Sequence, residues 1–164
     1  MSRGFVIGLL CLLLVTITAV MTVPVTTLVL TSRDGNEVLL IPVPFQRPFT
    51  LEYFHSVQKT SVQEHFLPAP GNQFHLTGTT YQSLGVGLPF LAQEGKLKLT
   101  GDKMEFTGMN RYYDSISLVY SPMTRQAILC GRHRYEFSQY FTPETVIKAE
   151  LKQHPPIKII MQES

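Results

Sequence analysis

From Gly4 to Ser32 no side chain carries an ionisable group except the thiol of Cys11. That run constrains the chain more than any other feature. A helix needs about 20 apolar residues to cross a bilayer, and Phe5 to Val25 supplies them. The stretch "FVIGLLCLLLVTITAV" followed by "MTVPV" is apolar on every side, whereas a helix packed on a soluble core keeps a polar stripe. A cleaved signal peptide has a shorter apolar core and a small-x-small site; Ile17-Thr18-Ala19 fits that pattern poorly. A lipoprotein signal needs a small residue before its cysteine, but Leu10 precedes Cys11. The expectation is an uncleaved signal anchor over residues 1–25, with a β-domain over 26–164. Arg3 and a very short amino-terminal tail favour an N-in orientation. The chain is then a single-pass protein of the inner (cytoplasmic) membrane, with its C-terminal domain outside the cytoplasm.

Beyond the anchor, short β-rich runs alternate with turn residues. "TTLVLTSRDGNEVLLIPVP" reads as a hairpin turning at Asp34-Gly35-Asn36. "FTLEYF" alternates, with Phe49, Leu51 and Tyr53 on one face; "SVQEHFL" does too, with Val62, Glu64 and Phe66 together. "QFHLTG" and "TTYQSL" read as two short strands about Gly78. "GKLKLTGDKMEFTG" reads as a hairpin, and "SISLVYSPMTRQAILCG" as another turning at Ser121-Pro122. "YEFSQYFTP", "TVIKAEL" and "IKIIM" complete the strands. A helix over "PETVIKAELKQ" is the alternative there, but Ile147, Ala149 and Leu151 alternate with charged neighbours. Many short strands with frequent turns predict an all-β fold, an antiparallel sandwich or partly open barrel, preceded by one transmembrane helix.

The net charge of +2 and the absence of a basic cluster argue against a nucleic-acid partner. Cys11 and Cys130 are the only cysteines, so neither a disulfide framework nor a cysteine zinc site is implied. No cofactor is expected.

Three stretches carry the polar side chains of interest. The first, "LEYFHSVQKTSVQEHF", holds Tyr53, His55, Ser56, Glu64 and His65. If its two strands pair, Glu64 returns near Tyr53 or His55. A hydrolase or metal-dependent enzyme built on His55, Ser56 and Glu64 is one reading. Adjacent residues of a strand point to opposite faces, which separates Ser56 from His55 and Glu64 from His65. The other reading is structural: an inward Glu64 must find a partner, Arg111 or His55, because an unpaired buried carboxylate is costly. The second stretch, "YQSLGVGLPF", holds Gly85 and Gly87, which allow close backbone approach and anion-cradling N–H groups; a tight crossover is the plainer reading. The third, "GMNRYYDS", presents Arg111, which can grip a carboxylate with two parallel hydrogen bonds or simply stack on a tyrosine.

These stretches together resemble the bacterial domain-of-unknown-function family 1850. "YFHSVQKTSVQEHF" resembles its Tyr-x-His-Ser-Val…Val-x-Glu signature, "YQSLGVGLP" its Gly-Ala-Gly-Leu-Pro loop with Val86 in place of Ala, and "MNRYYDSISLVYSPMTRQAIL" its Arg-containing segment. The resemblance runs from about Leu28 to Ile160. It implies a small exported or membrane-anchored protein, an accessory of a tripartite organic-acid transporter, whose partners are transporter subunits or a small organic acid. It directs attention to Tyr53, His55, Ser56, Val57, Glu64, Gly85, Gly87, Leu88, Pro89 and Arg111, without assigning them chemistry. An enzyme and a purely structural β-module remain the alternatives.

Overall fold

The computed structural model describes residues 3–44, 46–55, 59–81, 95–100 and 103–156. Ser56, Val57, the 85–89 loop and "IKIIM" therefore lie outside the described residues. Helix α1 spans Arg3–Thr22. Its side chains are described at 4–16, 18, 21 and 22, and nearly all are exposed. Among the described residues no helix is long and apolar enough to cross a membrane.

Eleven strands follow among the described residues. They are β1 (Val25–Ser32), β2 (Val38–Pro42), β3 (Phe49–His55), β4 (Thr60–Ala69), β5 (Gln73–Tyr81), β6 (Lys96–Thr100), β7 (Lys103–Tyr113), β8 (Ser115–Val119), β9 (Ala127–Cys130), β10 (His133–Glu136) and β11 (Val146–His154). They form two antiparallel sheets, of order β2-β1-β11-β8 and β10-β9-β3-β4-β5-β7-β6. Each sheet turns one apolar face inward: Leu28, Leu30, Ile41, Ile147 and Leu151 meet Phe49, Val62, Phe66, Phe74 and Phe106 in one core. Phe49, Phe66 and Phe74 are the centre of it, with ring centroids 5.6–6.0 Å apart. Such edge and offset contacts add to the area each ring buries. The fold is an antiparallel sandwich rather than a closed barrel.

The β1–β2 hairpin forms where Asp34 and Gly35 predict it; Gly35 has φ +76° and the register pairs Leu28 with Ile41 and Leu30 with Leu39. Residues 146–154 are a strand with Ile147, Ala149 and Leu151 buried, as their alternation predicts. Three expectations need correction. "YEFSQYFTP" is not one strand: β10 ends at Glu136, and Phe137–Gln139 form a 3-10 turn closed by the Tyr140 N–H on the Phe137 carbonyl. Residues 73–81 are one strand, not two, because Gly78 sits in a bulge rather than a turn. The Ser121-Pro122 turn does not close a hairpin: β8 pairs with β11, and β9 pairs with β3 and β10. The Gln126 amide explains how. It donates to the Val119 carbonyl (3.1 Å) and accepts from the Ser121 N–H (3.2 Å), satisfying backbone groups that a hairpin partner would have taken. The chain is thus free to pass from one sheet to the other.

Candidate functional site

A regular strand sends alternate side chains to opposite faces. Strand β7 breaks this rule once. Before Gly108 the even residue Phe106 is buried; after it, the odd residue Met109 is buried, with Arg111 and Tyr113 half-buried. Gly108 has φ +75°, the left-handed conformation that favours glycine. The β5–β7 register slips at the same place, from Leu76↔Arg111 to Gly78↔Thr107. Strand β5 switches as well: Phe74 and Leu76 face the core before Gly78, Thr79 and Tyr81 after it. The close approach of β7 demands glycine there, since a Cβ on Gly78 would stand 2.6 Å from the Phe106 carbonyl oxygen. Bulges of this kind re-aim side chains and concentrate near functional sites. Here they bring Arg111 and Thr79 onto the inner face.

That face opens into a cleft of about 390 Å³ between the two sheets. Glu64 and Phe66 of β4, Leu76 and Thr79 of β5, and Arg111 and Tyr113 of β7 line one side. Ser115, Ile116 and Ser117 of β8 line the other. The volume falls in the range of small-molecule sites, with Phe66, Leu76 and Ile116 as the apolar part of an otherwise polar lining.

Glu64 is the cleft's one carboxylate among the described residues. The Tyr53 hydroxyl donates to its Oε1 at 3.3 Å across the β3–β4 pair. Burial pushes the Glu64 carboxyl above its ordinary range, and the Tyr53 hydrogen bond only partly offsets this. The Tyr53 phenol is itself pushed well up, first by burial and then by the neighbouring carboxylate. Among the described residues no Lys, Arg or His forms an ion pair with Glu64. Arg111 shares the cleft and has contacts of its own; its five N–H donors allow further partners.

Of the sequence-derived candidates, the structure brings Tyr53, Glu64 and Arg111 together. His55 ends β3 opposite Thr60, away from the cleft lining. Ser56, Gly85 and Gly87 lie outside the described residues. His65 points to the opposite face from Glu64, as alternation requires. Its ring nitrogens lie 3.1 Å from the Thr50 hydroxyl and 2.9 Å from that of Thr80. His75 stacks on Tyr112 at 4.5 Å. Among the described residues no three of His, Cys, Asp and Glu gather as a metal-ligand set. Thr79, Tyr113, Ser115 and Ser117 join the site without having been singled out in the sequence. Gly78 and Gly108 were the available signals for Thr79 and Tyr113.

Two other depressions are larger, and ion pairs occupy part of the charge in each. Around Arg125 and Arg134, Arg134 is bridged to Glu52 at 2.7 Å and Glu136 at 3.1 Å. On the outer face of the four-stranded sheet, Glu150 is bridged to Lys148 and Lys152, each at 2.8 Å.

The fold and site together define an antiparallel β-sandwich with a charged cleft at the sheet interface. The family model described as "Domain of unknown function (DUF1850)" matches residues 49–137, more than half of the chain. The chain belongs to that family, and the matched stretch holds both Glu64 and Arg111. No curated protein and no solved structure matches the chain.

Proposed function

We propose that this is a membrane-anchored, extracytoplasmic binding protein that takes a small organic acid into the inter-sheet cleft, as an accessory to a tripartite transporter. The cleft carries the binding part of the reading. A guanidinium turned inward at the bulges, beside the hydroxyl groups of Thr79, Tyr113, Ser115 and Ser117, suits a carboxylate. The charge-free run after Arg3 supports the anchor, and the resemblance described above supports the transporter link.

The test is the melting temperature of the full chain in detergent against acetate, propionate, succinate and malate. A ligand that binds only the folded state adds about 2.7 kcal/mol at a hundredfold excess over its Kd. The expected result is a shift with at least one acid that Arg111→Gln abolishes. No shift with any acid would remove the binding reading. His55 lies away from the cleft lining, so His55→Asn should leave binding unchanged.

A further inference from the structure

We infer that the ligand of this cleft is amphoteric: a small α-amino acid, its carboxylate on Arg111 and its ammonium on Glu64. This rests on the organic-acid reading above and narrows it.

The argument begins with what a plain acid would leave undone. A carboxylate on Arg111 leaves Glu64 with only the Tyr53 hydroxyl donating to it among the described residues. A dicarboxylate fares worse, because its second charge would meet the like charge of Glu64. An ammonium group offers Glu64 the cation that no described residue provides. The spacing suits it. Glu64 and Arg111 lie on β4 and β7 with β5 between them; Leu76 faces Arg111, and Phe66, two residues from Glu64, faces Leu76. Two strand spacings and two residues along the strand put the two Cα atoms roughly 12 Å apart. The cleft between them, about 390 Å³, has room for a small molecule. Phe66, Leu76 and Ile116 between them favour a small apolar side chain.

Calorimetric titration of the full chain at pH 7.5 with matched pairs tests this: alanine against propionate, valine against isovalerate, with succinate and isobutylamine as controls. The amino acid of each pair should bind about tenfold or more tightly than its deaminated acid, the gain expected of a charge-assisted contact. Glu64→Gln keeps the shape and removes the charge, so it should erase that preference while leaving the acid's affinity in place. The matched-pair comparison on the wild-type chain needs no variant to fold. If the acids bind as well as the amino acids, the inference fails and the organic-acid reading stands. If isobutylamine binds alone, or nothing binds, both fail.

Discussion

Gly108→Ala is the sharpest test of how the cleft is built. Gly108 has φ +75°, and a Cβ placed there meets nothing within 4 Å. No steric cost arises, so only the backbone conformation decides the outcome. An L-residue in the left-handed region costs about 1–2 kcal/mol. Alanine also restricts the unfolded chain, which returns about 0.4–1 kcal/mol. The net loss is about 1 kcal/mol, or roughly 4 °C in melting temperature for a domain of this size. Chemical denaturation and thermal melting both read it. Gly108→Asn should lose less, because Asn tolerates the left-handed region. If Gly108→Ala instead stabilises the protein, Gly108 has an ordinary conformation. The change of parity in β7 would then vanish, and with it the reason Arg111 faces inward. Gly78→Ala acts by a different route. Its Cβ would strike the Phe106 carbonyl oxygen at 2.6 Å, so the β5 and β7 backbones must part, at an overpacking cost of about 1–3 kcal/mol.

Phe66→Ala should destabilise by about 3–5 kcal/mol in urea denaturation, since the ring is 1% exposed and contacts both Phe49 and Phe74; a loss under 1 kcal/mol would mean the three rings do not form the core. Glu64→Gln should raise the melting temperature at pH 8 and leave it unchanged near pH 4. A carboxyl whose pKa is raised by folding adds stability below its unfolded value and loses it as pH rises through the folded one. The full chain should stay with membranes through alkaline carbonate washing, and a chain starting at Thr26 should be released; release of both would refute the anchor.

The parts of the fold legible in the sequence are those set by local chemistry. Asp34-Gly35 names its turn, and the alternation of 49–53, 62–66 and 146–151 names both strand and buried face. The parts that were not legible depend on a single residue or on tertiary partners. A bulge shifts parity by one position, so Arg111 reads as outward-facing by alternation from Phe106, and only Gly108 hints otherwise. The sheet switch between β8 and β9 turns on one glutamine side chain replacing strand partners, and a Ser-Pro turn looks the same either way. Glu64 was recognisable as an inward carboxylate returning near Tyr53, although Arg111 and His55 were the partners expected of it; Tyr53 is directly across the ladder from Val62, one diagonal step from Glu64, and donates to it.

The response of Glu64→Gln separates the two readings that do not involve catalysis. A purely structural β-module keeps Glu64 because the fold needs it, so its substitution should lower stability. Yet the only hydrogen bond Glu64 makes among the described residues is from the Tyr53 hydroxyl, which a Gln carbonyl accepts equally well. The charge therefore contributes nothing to folding that an amide would not, and burial makes it costly. The cleft also lies where the smaller sheet ends at β8 while the larger continues through β7 to β6. There Leu97 and Leu99, paired with Phe106 and Met104, remain 49% and 70% exposed. A charge that weakens the fold and lines a cleft is the arrangement expected of a binding group. A gain in stability together with a loss of amino-acid preference in Glu64→Gln would establish that trade. A loss of stability at pH 8 would return Glu64 to the structural reading.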